Sequence, residues 1–208
     1  MTRSILVLPG GAYRHHAAHE GEPVAQWLRT LGWDARVVKY PVLTRHPEPL
    51  RFVQREVLRE RETHETVGVL GFSAGGHLAG LTALTPDAAA DERPDLAMLC
   101  YPVVSMLTPT HKVSRENLIG PRASWWKRRA VSLDKLVRAS SPPMFVWHTA
   151  ADALVPVEHS YMLGSALAKR GVPHDLHVFA EGKHGVGLAP GLPAEAWQGL
   201  AARWLERF

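Results

Sequence analysis

The sequence predicts an α/β protein: a reduced, mostly parallel sheet of about six strands with helices on both faces. Three observations predict it. Short β-rich runs alternate with longer amphipathic ones along the 208 residues, the pattern of right-handed βαβ units. Several short runs are almost wholly apolar, such as Ile5-Leu6-Val7-Leu8 and Met144-Phe145-Val146-Trp147, as in strands covered on both faces. Finally, Gly-Phe-Ser-Ala-Gly at 71–75 lies between the apolar run Thr66–Leu70 and the helical-looking Gly76-His77-Leu78-Ala79, where a strand would turn sharply into a helix.

Taken in order, the strands are expected at 4–8, 35–40, 66–71, 96–101, 143–148 and 174–179, and the helices at 17–31, 49–62, 74–84, 158–170 and 194–207. Gly32 and Gly171 follow the first and fourth helices as C-terminal caps. The last helix repeats Ala196, Trp197, Leu200, Ala201, Trp204 and Leu205 at helical spacing, with Glu195, Gln198, Arg203 and Glu206 outward. Residues 103–140 break the rhythm. They carry Pro109 and Pro121 and are longer than a crossover needs, which marks them as an insertion supplying a lid or a pocket wall. No linker or repeat divides the chain, so a single domain over 1–208 is expected.

Composition narrows the function classes. Apolar residues make up 46% and charged ones 21%, ordinary values for a globular protein. The formal charge of +4 comes from 24 basic residues scattered among 20 acidic ones, which argues against a nucleic-acid stripe. Cys100 is the single cysteine and sits in an apolar run, so no internal disulfide forms and a core role is expected. The opening Met1-Thr2-Arg3-Ser4 leads into an apolar stretch too short for a secretion leader, and no stretch has the length of a membrane span. A cytoplasmic protein that engages no membrane is the expectation. No Cys/His cluster has metal-ligand spacing, and Gly10-Gly11 lacks the rest of a phosphate-binding motif, so neither a metal nor a cofactor is expected.

Chemistry concentrates around Ser73. A serine at the tip of a strained strand-to-helix turn is a nucleophile elbow, and the flanking glycines let strand and helix pass closely. The helix starting at Ala74 aims its free N–H groups at charge forming beside the serine. Such a serine needs a base, and the base an acid to orient it. Asp152 lies just beyond the strand ending at His148, and His184 just beyond the strand ending at Phe179. Both therefore reach the C-terminal edge of the sheet, where Ser73 also sits and where ligands bind in open parallel sheets. Other residues fit less well. His174 and His177 lie within the last strand, His77 is on the nucleophile helix, and His148 is read as structural. His15, His16 and His19 follow the first strand and are candidates to line the pocket; Asp134, Asp175 and Glu181 fit neither position nor orientation for the acid. Pro9-Gly10-Gly11-Ala12-Tyr13 follows the first strand, so the backbone N–H groups of Gly11 and Ala12, with that of Ala74, are the expected oxyanion donors.

Together these residues resemble the α/β-hydrolase superfamily, in particular small bacterial acetyl esterases and acetylxylan-esterase-like serine hydrolases. PGGAY at 9–13, YPV at 40–42, GFSAGGHLA at 71–79, YPV at 101–103, HTAADALVPVEHS at 148–160 and GKHGVGLA at 182–189 carry the resemblance. It implies the α/β-hydrolase fold, the chain order Ser73, Asp152, His184, and hydrolysis of short-acyl esters of small alcohols or sugars through an acyl-enzyme. Pro9-Gly10-Gly11-Ala12 stands where many such esterases have His-Gly-Gly-Gly. The chain also starts at what corresponds to the third strand of the full fold, leaving an edge that a homodimer would cover. Tyr13 and Phe72 flank catalytic positions and are candidates to shape the acyl pocket. Trp125 and Trp126 are candidates for a sugar platform or a lid anchor, beside Lys127-Arg128-Arg129. The same residues suit an amidase, formamidase or small peptidase, and the scaffold also suits a non-catalytic binding protein.

Overall fold

The computed structural model describes residues 2–86 and 88–208. Six strands, β1 (Arg3–Leu8), β2 (Asp34–Val37), β3 (Thr66–Phe72), β4 (Leu96–Cys100), β5 (Met144–Thr149) and β6 (His174–Phe179), form one sheet in the order β2-β1-β3-β4-β5-β6. Every neighbouring pair is parallel. The strand order reverses direction at β1, so the crevice at the C-terminal ends of β1 and β3 is the topological switch point. The Gly10-Gly11 turn and Ser73 both open onto it.

Central strands are apolar throughout because both faces are covered. On one face α2 (Glu48–Arg61), α3 (Ala74–Leu84) and α6 (Glu158–Lys169) enclose Leu6, Leu8, Val69, Leu99 and Val146. On the other, α1 (Glu22–Thr30) and α7 (Trp197–Leu205) cover Ile5, Val7, Leu70, Met98 and Trp147. Trp147 and Trp197 stack at 5.3 Å, anchoring the last helix to β5. No described helix is long and apolar enough to cross a membrane.

The expected elements are present with boundary shifts of a few residues, and two differences have clear causes. The first helix is broken: a 3-10 turn at Ala18–Glu20 precedes α1, with Gly21 at φ −105° and ψ −106° between them. Pro23 lies in the first turn of α1, where its missing N–H costs nothing. The last helix likewise begins as a 3-10 turn, Pro193–Ala196. The 103–140 insertion contains α4 (Lys112–Ile119), α5 (Trp125–Ala130) and a 3-10 turn, Leu133–Lys135. It is held at many points. His159 accepts from the Val104 and Ser105 N–H groups and donates to the Pro109 carbonyl. Ser132 caps the Met106 N–H, and the Leu133 N–H bonds the Val104 carbonyl. These bonds tie the start of the segment to α6 and to its own later turns.

Candidate active site

Ser73 occupies a conformation that an L-residue rarely adopts, φ 52° and ψ −115°. Its surroundings impose it. The Ser73 N–H donates to the Cys100 carbonyl at the end of β4, and its carbonyl accepts from His77 and Val103. A Cβ at Gly71 would lie 2.2 Å from the Gly75 carbonyl oxygen, and one at Gly75 would lie 2.1 Å from that of Leu8. Both contacts are backbone, so only glycine permits the tight passage of β3 into α3.

Three side chains meet here. His184 Nε2 lies 2.7 Å from Ser73 Oγ, and His184 Nδ1 lies 2.6 Å from Asp152 Oδ2. A carboxylate only accepts, so Nδ1 carries the proton and Nε2 is free to take one from the serine. Asp152 is buried, and burial alone would raise its carboxyl pKa. Hydrogen bonds from His148, His184 and the Val155 N–H outweigh that and hold it well below the usual carboxylate range. Its second oxygen accepts from the Leu154 and Val155 N–H groups at 2.9 Å each.

His148 contributes more than filling. Its Nε2 lies 3.2 Å from Asp152 Oδ2 and 3.0 Å from the Val155 carbonyl, both acceptors, so Nε2 holds the proton. Its Nδ1 then accepts from the Ser160 hydroxyl at 2.7 Å. His148, expected from the sequence to be structural, stands four residues before Asp152, and that spacing is the signal that could have found the pairing.

The Gly10–Tyr13 turn is strained across three residues, with φ of 128° at Gly11, 56° at Ala12 and 58° at Tyr13. Every carbonyl in this run has a donor. Arg14 and His15 N–H bind Gly11, Asn117 Nδ2 binds Ala12 at 2.9 Å, and Leu43 N–H binds Tyr13. The N–H groups of Gly11, Ala12 and Ala74 make no hydrogen bond to a described residue. The Gly10 N–H is different, being taken by Glu20 Oε2 at 2.8 Å. Asn117 and Glu20 were silent in the sequence, because 105 and 10 residues respectively separate them from their partners, with no motif between.

Two expected pocket residues are buried instead. Tyr13 is fully covered because its hydroxyl bonds His77 Nδ1 at 2.7 Å beneath the turn. Phe72 is equally covered, packed against Tyr101 and Trp197 on the other sheet face. Neither presents surface to a substrate. Trp125 and Trp126 are 53% and 73% exposed. Trp126 opens onto a cleft of about 900 Å³ lined also by His46, Leu50, Arg51, Arg129 and Lys135, a set that shares no residue with the serine site. Of the early histidines, His19 donates to the Gly185 carbonyl at 2.9 Å and so holds the loop bearing His184. His16 packs edge-on against Tyr40. Among the described residues, no group of three or more His, Cys, Asp or Glu side chains is placed to hold a metal ion.

A serine on a strained elbow at the switch point of a parallel sheet, linked through histidine to aspartate, defines an α/β-hydrolase. The sequence profile described as the prolyl oligopeptidase family (Peptidase_S9) matches residues 53–206, and the chain belongs to that family. The matched span contains Ser73, Asp152 and His184 but not the Gly10–Tyr13 turn. Among solved structures, an acetyl ester-xyloside bifunctional hydrolase from Caldicellulosiruptor lactoaceticus is 38% identical with a TM-score of 0.93, covering 100% of this chain and 83% of that one. An endo-1,4-beta-xylanase B of Butyrivibrio fibrisolvens is 32% identical over 94% of this chain. An acetylxylan esterase of Xylanibacter ruminicola is 30% identical over 89% of it. The chain spans only 34% and 41% of those two curated relatives' own lengths.

Proposed function

We propose that the protein is a serine carboxylesterase that removes short acyl groups, acetyl foremost, from small alcohols or sugars. The carrying observation is the hydrogen-bonded chain from Ser73 Oγ through His184 to Asp152, 2.7 Å and 2.6 Å in its two links. Ser73 Oγ attacks the ester carbonyl as His184 Nε2 takes its proton, while Asp152 stabilises the imidazolium. The Gly11, Ala12 and Ala74 N–H groups receive the developing oxyanion, an effect worth about 3 kcal/mol per donor. His184 returns the proton to the leaving alkoxide, giving an acyl-enzyme and free alcohol. Water, deprotonated by the same histidine, then releases the acid and restores Ser73.

The acyl and alcohol preference rests on the relatives, two of which are described by their action on acetyl esters. The family description favours a second reading, a peptidase or amidase using the same three residues. Hydrolysis of p-nitrophenyl esters from acetate to decanoate, beside a matched p-nitroanilide, separates these readings. Acetate turnover that falls steeply with chain length and disappears in Ser73→Ala supports the esterase. Faster anilide turnover would support the amidase, and absence of both, with no fluorophosphonate labelling of Ser73, would leave a binding protein on this scaffold.

A further inference from the structure

The two loops that must cooperate at Ser73 have no direct structural tie through the sheet. The oxyanion turn leaves β1 and the His184 loop leaves β6, with β3, β4 and β5 between those strands. Beside the exposed His19, which donates to the Gly185 carbonyl, two buried side chains, Glu20 and Tyr101, bridge them. Glu20 is 2% exposed, and its Oε2 accepts from the Gly10 N–H at 2.8 Å. Its Oε1 accepts from the Tyr101 hydroxyl at 2.6 Å, and the Tyr101 oxygen in turn accepts from the Gly187 N–H at 2.8 Å. Burial first, and the Glu20 charge second, push the Tyr101 phenol well above its ordinary value, so it stays a donor.

The bridge also touches the reacting groups' own supports. The Tyr101 ring stands edge-on to the His184 imidazole at 5.1 Å between centroids. A Cβ placed on Gly10 would fall 2.6 Å from Glu20 Oε2 and 3.1 Å from Ser73 Cβ, so no side chain fits between the carboxylate and the nucleophile at this point of the turn. Among the described residues no Arg or Lys pairs with Glu20; His19 Nε2 lies 3.8 Å from Oε1. A buried carboxylate without such a partner is costly unless its hydrogen bonds are well placed. Here Oε2 meets the oxyanion turn and Oε1 meets Tyr101, which reaches the His184 loop.

We propose that Glu20 is a positioning residue, which through Tyr101 sets the separation of the oxyanion turn from the His184 loop. This rests on the reading of Ser73 as nucleophile. By consuming the Gly10 N–H it also leaves Gly11 and Ala12 as the turn's donors. An error of about 1 Å in such a site costs on the order of 100-fold in rate, so the bridge acts on kcat more than on substrate affinity.

The test compares wild type with Glu20→Met, Glu20→Gln and Tyr101→Phe on p-nitrophenyl acetate, alongside fluorophosphonate labelling and amide hydrogen exchange. Glu20→Met should lower kcat by about 100-fold with KM within about threefold, and the isosteric Glu20→Gln should recover part of that loss. The Glu20→Gln/Tyr101→Phe pair should lose less than the product of the single losses, since both act in one network. Exchange at the amides of 10–13 and 184–188 should rise together. A Glu20→Met enzyme with kcat within about twofold of wild type would overturn the proposal. So would exchange that rises in only one of the loops, a readout that needs no turnover. A wild type inert to ester, anilide and probe would instead overturn the nucleophile reading, with the exchange result still deciding the bridge.

Discussion

His184 and His148 donate to the same oxygen of Asp152, at 2.6 Å and 3.2 Å. The carboxylate that orients the proposed base is therefore itself divided between two imidazoles. Each hydrogen bond to Oδ2 draws off electron density that the other would use, so His148 moderates the pull of Asp152 on the His184 imidazolium.

Replacing His148 by Phe should release that moderation. Asp152 Oδ2 then accepts from His184 alone, and the stronger link to the base should raise kcat/KM. Losing a donor to a buried charge should also destabilise the fold by about 2 kcal/mol. Steady-state kinetics paired with denaturant unfolding checks both parts. An unchanged kcat/KM would refute the coupling.

The elbow should contain measurable strain. Ser73→Gly and Ser73→Ala both remove the hydroxyl bonded to His184, but only glycine is at ease at φ 52°. Ser73→Gly is expected to be about 1 kcal/mol more stable than Ser73→Ala, which corresponds to roughly 2–4 °C in Tm for a domain of this size. Differential scanning calorimetry of the two variants reads the difference directly. Equal midpoints would mean that the surrounding structure relaxes around alanine.

Gly75→Ala should be far more damaging. The added methyl would meet the Leu8 carbonyl oxygen at 2.1 Å and that of Pro9 at 2.5 Å, neither on a flexible side chain. A loss of about 3 kcal/mol or more is expected, with fluorophosphonate labelling falling in parallel. Circular dichroism melting beside the labelling assay tests it, and a fully stable, fully labelled variant would contradict the packing.

Acid should weaken the fold through buried histidine. His77 is fully buried, with Nε2 donating to the Val131 carbonyl and Nδ1 accepting from Tyr13. Desolvation pushes its pKa from 6.5 down to about 4, against the smaller upward effect of the Val131 bond. Between those values the unfolded chain binds the proton and the folded chain does not, so stability falls as the pH drops through that window. The gap is worth about 3 kcal/mol at this site, and His159 and His46 are shifted in the same direction by burial. Urea unfolding from pH 7.5 to pH 4 should show a falling midpoint. A flat profile would show that these rings accept protons without cost.

The division between what was legible and what was not follows sequence distance. The six strands are apolar runs because parallel strands are covered on both faces, and that property is local. The elbow is legible because its glycines meet backbone within four residues or just across β1. Asp152 and His184 were readable from the strand ends they follow, since parallel strands deliver their C-terminal loops to one edge. Tyr13 and Phe72 misled because adjacency to Ala12 and Ser73 says nothing about which way a side chain points. At φ 58° the turn directs Tyr13 down to His77, and the pleat of β3 directs Phe72 toward Trp197.

By itself, then, the amino-acid sequence determined the strand and helix pattern, the strained serine and the edge of the sheet at which its partners arrive. Each depends on periodicity, or on turn chemistry within a few residues. Only the tertiary structure decided the supporting shell. Glu20 meets Tyr101 across 81 residues, and Asn117 meets the Ala12 carbonyl across 105. Such bonds join single polar side chains, selected by how β1, β4 and the 103–140 segment pack, and no periodicity announces them. Trp126 likewise lines a cleft that shares no residue with the serine site, a placement its sequence neighbours do not announce.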